Sequence, residues 1–184
     1  MVGNLEEKAE ERKLVKKAMR GNADAYGELI EMYKTYLYKL AFAYMKNQED
    51  ALDVVGTTIL KGFQSIRSLK NPELFKTWIT KILINTANDE LRKVIYYSDI
   101  DDLQVPDRHK GVSPEEKCDL NDALERLPEK YRKVIILKYF SGMTIEEIAF
   151  AADIPAGSVK AYLSRGRQEL KKYLKEDYMY AESV

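Results

Sequence analysis

Apolar residues recur every three or four positions along most of the chain, and no segment alternates apolar and polar residues as a half-buried strand would. In the first half, this spacing predicts helices over 6–19, 23–46, 48–66 and 72–95. In the second half, it predicts helices over 113–127 and 128–140, followed by a closely spaced pair of helices. The sequence therefore predicts an all-α protein.

The closely spaced pair lies in the stretch "TIEEIAFAADIPAGSVKAYLSRGRQEL". Thr144, with Glu147 three residues later, forms a capping box that starts the first helix. Pro155 lacks a backbone N–H and Gly157 tolerates unusual dihedral angles, so we expect the helix to break there. Ser158 is expected to cap the second helix. The stretch therefore predicts a helix–turn–helix.

The second helix of this pair is apolar on one face and basic elsewhere. Val159, Leu163, Gly166 and Leu170 follow one another at spacings of four, three and four, which places them on one face. Among the charged residues over 158–175, six are lysine or arginine and only Glu169 is acidic. A helix with these two faces fits the major groove of DNA. The alternative is that the basic residues are merely solvated, as on any small helical hairpin.

Charge is unevenly distributed, although the formal net charge is zero. The stretch 96–117 has turn-forming residues, no sustained periodicity and an acidic excess, so we predict that it is a linker. With 184 residues, the chain is long enough for two small domains, which we place at 1–95 and 118–184. The predicted architecture is two small helical domains joined by a flexible acidic linker, the second containing the helix–turn–helix.

The helix over 72–95 carries a polar stripe beside its apolar face. The stripe consists of Thr77, Lys81, Asn85, Asn88 and Arg92. Asparagine can make paired hydrogen bonds to a base edge, and lysine and arginine can hold phosphates. Ile84 lies on the same side, which is unusual for a purely solvated surface. Surface solubility alone is the alternative explanation for the asparagines.

Residues suited to catalysis or metal binding are scarce. His109 is the only histidine and lies in the predicted linker, so a histidine metal cluster or a catalytic triad cannot be built. The single cysteine, Cys118, suits a reducing cytoplasm, and no apolar run approaches the roughly 20 residues that cross a bilayer. We therefore predict a cytoplasmic protein without enzymatic activity, cofactor, small-molecule substrate or direct membrane insertion.

Two separate stretches resemble one family. The first, 25–93, contains the pattern F-x-x-W-x-x-x-I-x-x-N-x-x-x-D, which is met by Phe75, Trp78, Ile82, Asn85 and Asp89. The second, 124–170, contains the helix–turn–helix. In this order and at this separation they resemble the promoter-melting and −35-binding domains of the extracytoplasmic-function (ECF) sigma factors of bacterial RNA polymerase. A helix–turn–helix alone is a weak signal, whereas the pair is specific.

The resemblance implies a specificity subunit whose partners are core RNA polymerase and promoter DNA, with an anti-sigma factor as a further partner. The third helix, over residues 50–61, would dock on core polymerase through Asp50, Asp53, Val54, Thr57 and Leu60. The loop over 68–73 and the helix faces beside it would bind and melt the −10 element, with a shallow base pocket beside Ser65 and Asn85. The residues implied for this step are Lys61, Ser65, Ser68, Leu69, Lys70, Asn71, Lys81, Asn85, Asn88 and Arg92. Those implied for the −35 element are Ser158, Lys160, Ala161, Tyr162, Ser164, Arg165, Arg167, Gln168 and Lys171.

The chain departs from the family pattern in two places. Gly56 and Thr57 stand where the family usually has Gln or Asp followed by an acidic residue, in the polar part of the docking helix. Tyr162 replaces an arginine of the recognition helix, which removes one positive charge. We expect affinity for DNA to fall little and sequence preference to shift.

Two other classes of protein stay open at this point. A helix–turn–helix repressor or activator would bind an operator without polymerase, although the first half shows no ligand-pocket signature. An adaptor or anti-sigma-like interaction protein would not need the basic face at all. Promoter binding that depends on core polymerase would separate these classes from a sigma factor.

Overall fold

A computed structural model describes residues 2–100 and 119–181. The chain divides into an N-terminal unit, Met1–Leu103, and a C-terminal unit, Gln104–Val184. All regular secondary structure in the described residues is helical, which confirms the predicted all-α class. The predicted linker lies largely outside the described residues, as do His109 and Cys118.

The N-terminal unit is built around one central helix. Its elements are α1 (Val2–Met19), α2 (Ala23–Met45), α3 (Gln48–Ser65) and α4 (Phe75–Ile100), with 3-10 turns at Ile66–Ser68 and Pro72–Leu74 between α3 and α4. The central helix, α2, packs against each of the other three. Helix α4 runs five residues beyond the predicted end of the first domain, into the stretch that the sequence assigned to the linker.

Three asparagines start helical segments of this unit. The Asn22 side chain accepts a hydrogen bond of 2.7 Å from the third N–H of α2, and the Asn47 side chain accepts one of 3.0 Å from the third N–H of α3. The Asn71 side chain accepts one of 3.0 Å from the Glu73 N–H, in the turn before α4. Each bond satisfies an N–H group that a helix start leaves without an intrahelical partner.

Large apolar side chains from all four helices meet in the core of this unit. The fully buried ones include Val15 of α1, Leu29, Leu37 and Leu40 of α2, Val54 of α3, and Phe75, Ile79, Leu83 and Ile84 of α4. Burial of one such side chain contributes about 1.5–3 kcal/mol, so these contacts dominate the stability of the unit. Ile84 is therefore a core residue, which explains its place beside the polar stripe.

The helices of this core approach one another closely at Gly62 of α3. The Tyr26 hydroxyl of α2 donates a hydrogen bond of 2.8 Å to the Ile59 carbonyl, one turn before Gly62. A Cβ at Gly62 would collide with that hydroxyl and would lie 2.8 Å from Cδ1 of Ile79 in α4. Burial raises the pKa of Tyr26 well above its ordinary value, so the hydroxyl stays a donor. A larger residue at this point would require Tyr26 or Ile79 to shift.

The C-terminal unit contains the predicted helix–turn–helix. Its elements are α5 (Asp119–Arg126), α6 (Glu129–Ile135), a π-helical turn (Ile136–Phe140), α7 (Ile145–Ala152) and α8 (Ala156–Ala181). Helices α5, α6 and α7 all pack against α8. The sequence predicted one uninterrupted helix over 128–140. The chain instead widens into the π-helical turn, where the Ser141 N–H donates to the Ile136 carbonyl at 3.2 Å.

The capping box at the start of α7 forms as predicted. The Glu147 N–H donates to the Thr144 hydroxyl at 3.2 Å, and the Thr144 N–H donates to the Glu147 carboxylate at 2.8 Å. The predicted break between α7 and α8 is different in detail. Asp153 takes the left-handed conformation that ends α7, with φ of 55°, and α8 begins at Ala156. Ser158 is thus inside the first turn of α8 and does not cap it.

Two glycines of α3 offer a matched pair for a test of the core. We expect Gly62→Ala to destabilise the N-terminal unit by about 1–3 kcal/mol, the usual cost of overpacking. Gly56→Ala should stabilise it by about 0.5–1 kcal/mol, because nothing lies within 4 Å of a Cβ there. Urea unfolding followed by tryptophan fluorescence reports on this unit alone, because Trp78 is the only tryptophan. Equal stability of the two variants would contradict the close approach at Gly62.

Candidate nucleic-acid and polymerase interfaces

An open cleft of about 400 Å³ lies between α3 and α4, at the place where the resemblance implied a base pocket. Its lining comprises Lys61, Gln64 and Ser65 of α3 and Ile82 and Asn85 of α4. The apolar Ile82 side chain offers a contact surface to a flat group, and the amide and hydroxyl groups offer donors and acceptors. Gln64 and Ile82 were not among the predicted site residues.

A lysine stands at the edge of this cleft and is held by two residues of α4. The Lys61 ammonium donates a hydrogen bond of 3.3 Å to the Thr86 hydroxyl and lies 3.8 Å from the Asp89 carboxylate. Thr86 is buried, whereas the lysine side chain is about half exposed. The two contacts orient the ammonium across the seam between α3 and α4.

The family pattern on α4 divides into three structural roles. Phe75 is fully buried, and Trp78 is half-buried with its ring centroid 5.9 Å from that of Phe75. Ile82 and Asn85 line the cleft. Asp89 holds the lysine at the edge. The pattern therefore runs along α4 from the core of the unit to its cleft.

The polar stripe on α4 is only partly exposed. Asn85 and Arg92 are exposed, Lys81 and Asn88 are half-buried, and Thr77 is buried. The prediction that Thr77 belongs to a contact stripe is therefore wrong, because its side chain faces the core. The other four residues remain available at the surface.

The loop between α3 and α4 has an apolar base and a polar rim. Ile66 and Leu69 are buried beneath it, and the Leu69 N–H donates to the Ile66 carbonyl at 3.1 Å. Ser68, Lys70 and Asn71 are exposed. Leu69 is thus an anchor of the loop, and its side chain is not available to DNA as predicted.

Helix α3 presents an exposed apolar face, of which only Leu60 was among the predicted docking residues. Leu60 is 65% exposed, Leu52 52% and Phe63 46%, and these three lie within about 100° of one another around the helix. Asp53 is exposed beside them. An exposed patch of large apolar residues marks an interaction surface. The residues that were missed, Leu52 and Phe63, follow the same helical spacing as Leu60.

Two of the five residues predicted for docking differ clearly in their access to a partner. Val54 is fully buried among the helices of the unit, so the prediction that it contacts a partner is wrong. Leu60 is the most exposed of the large apolar residues on α3. Asp50 and Thr57 are half-buried at the margin of the face. Helical spacing alone could not decide which apolar residues face the core.

Helix α8 presents most of its predicted DNA-binding residues to solvent. Of the predicted inner face, Val159, Leu163 and Gly166 are buried and Leu170 is half-buried. The exposed residues are Lys160, Ala161, Ser164, Arg165, Arg167, Gln168 and Lys171, and Ser158 and Tyr162 are half-buried. The outer face is therefore polar and mainly basic.

Tyr162 is held against α6 by a small aromatic and cationic cluster. Its ring centroid lies 5.7 Å from that of Tyr131. The Lys130 ammonium lies 5.2 Å from the Tyr131 ring centroid and 5.9 Å from that of Tyr162. Such contacts stabilise a cation over an aromatic face. Lys130 thus places a positive charge beside the position where Tyr162 replaces an arginine.

Two kinds of site are not found in the part of the chain that the structure describes. No group of His, Cys, Asp and Glu residues within 2–100 or 119–181 could hold a metal ion. Among the same residues, no helix has the length and apolar character to span a membrane.

Comparisons with known proteins match both units to one family. Residues 29–94 match Sigma-70 region 2, and residues 119–170 match Sigma-70, region 4. The chain is 40% identical over 147 residues to RNA polymerase sigma factor SigV of Bacillus subtilis, covering 79% of this chain and 89% of that protein. It is 29% identical over 181 residues to ECF RNA polymerase sigma factor SigW of the same organism, and the match covers 90% of this chain and 97% of that protein.

The chain belongs to the ECF group of the sigma-70 family. A solved sigma factor, RpoE of Bartonella quintana in complex with the anti-sigma factor NepR, has the same fold. It has a TM-score of 0.66 and 24% identity, with 82% of this chain and 96% of that chain covered. The chain described here directs RNA polymerase to promoters, and it is a transcription initiation factor rather than an enzyme. The alternative of a stand-alone helix–turn–helix regulator is wrong, because the chain also matches region 2.

Proposed function

We propose that the two units divide promoter recognition between them. The N-terminal domain, 1–95, docks on core polymerase and binds and melts the −10 element. The C-terminal domain, 118–184, binds the −35 element. The observation that carries this proposal is the cleft at Ser65 and Asn85, which lies beside an exposed loop and has a lysine at its edge.

The cleft is proposed to hold one base taken out of the duplex. Extrusion of a base costs a few kcal/mol, which contacts in a pocket must offset. Ile82 would contact the face of the base, and Asn85 and Gln64 would hydrogen-bond to its edge. Lys61 would neutralise the adjoining phosphate. The exposed rim of the loop, Ser68, Lys70 and Asn71, would contact the same strand, together with Lys81, Asn88 and Arg92.

The apolar face of α3 is the proposed docking site for core polymerase. Leu52, Leu60 and Phe63 would be covered in the complex, and Asp50, Asp53 and Thr57 would form the polar margin. Large apolar side chains at the centre of an interface commonly contribute most of its binding energy. Gly56 leaves this face flat where the family usually has a polar side chain.

The outer face of α8 is proposed to enter the major groove at −35. Arg165 lies near the middle of the exposed strip, and its planar guanidinium can form two hydrogen bonds with a guanine. Lys160 and Lys171 lie at the margins, where they would reach phosphates. Arg167, Gln168, Ser164 and Ala161 complete the strip.

Further proposals concern the linker, the location and a regulatory partner. The part of the predicted linker that follows α4, over 101–117, is acidic, so it would repel nucleic acid until polymerase positions it. The protein would act in the cytoplasm, where its polymerase works. An anti-sigma factor is a proposed partner, because the Bartonella sigma factor of the same fold is bound to one.

Transcription reconstituted with core polymerase tests the proposed function. The wild-type chain should give promoter-specific run-off transcripts from genomic fragments, and neither the chain nor core polymerase should do so alone. Leu60→Glu should weaken binding to core polymerase roughly tenfold, because it places a charge at the centre of the docking face. Tryptophan fluorescence should show that this variant unfolds like the wild type. Specific transcripts at the wild-type level from Leu60→Glu would contradict the docking assignment.

Asn85→Ala should impair promoter opening more than promoter binding. Loss of one hydrogen-bonding side chain from the cleft should reduce permanganate reactivity of the −10 region by about two- to tenfold. Footprinting of the −35 region in the same complexes gives the internal control and should be unchanged. Equal loss of both signals would reject the cleft as the base site.

Arg165→Ala and Lys171→Ala should have different effects on binding at −35. Arg165→Ala should cost about 1–3 kcal/mol and flatten the preference at one or two base pairs. Lys171→Ala should weaken all sequences similarly and lower the salt dependence of binding by about one unit. The measurement is selection from a library randomised at −35, by the complex with core polymerase at two salt concentrations. If Arg165→Ala keeps the full base preference, α8 enters the groove in another orientation.

A further inference from the structure

Helix α1 contacts the loop between α3 and α4 through an ion pair. Nε of Arg12 lies 2.9 Å from Oε1 of Glu73, the last polar residue of the loop. Asn71 also caps this turn, because the Glu73 N–H donates a hydrogen bond of 3.0 Å to the Asn71 side chain. The ion pair thus joins α1 to the segment that leads from the loop into α4.

A second contact connects the other end of the loop to the turn after α1. Gly21, in that turn, has φ of 94°, a conformation that favours glycine. The Arg67 guanidinium, just before the loop, occupies the space above it, and a Cβ at Gly21 would lie 2.5 Å from its Nη2. The loop is therefore contacted on both sides by α1 and the turn that follows it.

Helix α1 is itself fixed to the body of the unit. Leu14, Val15 and Ala18 are buried. The Tyr33 hydroxyl of α2 donates a hydrogen bond of 2.5 Å to the Glu11 carboxylate, next to Arg12 in the sequence. Burial, and then the hydrogen bond and charge of Glu11, raise the pKa of Tyr33 above its ordinary value, so the donor is kept. A displacement of α1 would therefore require the loss of core contacts.

We propose that α1 positions the loop over 68–73 for promoter opening, through the ion pair between Arg12 and Glu73. The inference rests on the proposed function of the loop and adds a positioning residue, Arg12, that contacts no DNA. Helix α1 precedes the segment that matches region 2 of the family. Both members of the pair are more than half exposed, so their contribution to overall stability is small. Their effect lies in the geometry of the loop, whose exposed residues must meet the melted strand together.

Charge-reversal variants test whether the ion pair between Arg12 and Glu73 positions the loop, because the double reversal restores the pair and a control variant does not affect it. The variants are Arg12→Glu, Glu73→Arg and the double reversal. The matched control is Lys13→Glu, which makes the same charge change on the same helix but affects a lysine paired with Glu10 of α1 itself. Because the pair is exposed, all four proteins should unfold close to the wild type when followed by tryptophan fluorescence.

The first measurement is amide hydrogen exchange within the loop. Exchange at Leu69, Glu73 and Leu74, whose N–H groups donate within the loop and the turn after it, should be about two- to fivefold faster in Arg12→Glu. The double reversal should restore the wild-type rates, and Lys13→Glu should leave them unchanged. Wild-type rates in Arg12→Glu, or equal effects of Arg12→Glu and Lys13→Glu, would overturn the proposal.

The second measurement is promoter opening with core polymerase. Arg12→Glu should lower permanganate reactivity at −10 about two- to fivefold and broaden the base preference there, with recovery in the double reversal. Faster loop exchange with unchanged opening and preference would overturn the role of α1 in opening. Failure of the wild-type chain to open any promoter would instead reject the proposed function. In that case the exchange rates alone would still decide whether α1 fixes the loop.

Discussion

Helices α2, α3 and α4 meet at Gly62, and the surfaces of the N-terminal unit depend on how closely they meet. The Tyr26 hydroxyl and the Ile79 side chain occupy the space that any larger residue at Gly62 would need. This contact fixes the separation of α3 and α4, and the cleft lies between these same helices. Its neighbours in the sequence, Lys61 and Phe63, face the cleft and the apolar surface respectively. This close approach therefore lies directly beside both surfaces.

Helix α3 serves three environments at once, which constrains its sequence. Val54 and Thr58 face the core, Lys61 and Ser65 line the cleft, and Leu60 is exposed on the proposed docking face. A helix has room for three such faces only if each is narrow, because 3.6 residues complete a turn. On the proposed docking face, a partner would cover the exposed leucines of this helix.

Helix α8 also has two distinct faces, one packed against α6 and one exposed to solvent. Gly166 allows α6 to approach closely, since a Cβ there would lie 3.1 Å from Cγ1 of Ile135 and 3.2 Å from Cβ of Tyr131. Tyr162 packs on the same part of α6. Gly166 and Tyr162 thus belong to one packing arrangement between α6 and α8. The outer face of α8 is left free to carry the basic residues.

The sequence by itself determined the all-α class, the capping box of Thr144 and Glu147 and the family, because these follow from local spacing and from short residue patterns. The predicted bounds of α2 and α3 agree with the structure to within one residue, whereas α4 runs five residues beyond its predicted end, because no helix stop follows residue 95. Tertiary structure alone decided which side chains are accessible. Val54 and Leu60 have the same apolar character, yet one is buried and the other exposed, because only the packing of α2 and α4 against α3 assigns a face to each. The ion pair between Arg12 and Glu73 joins residues far apart in the chain, and no local pattern could have indicated it.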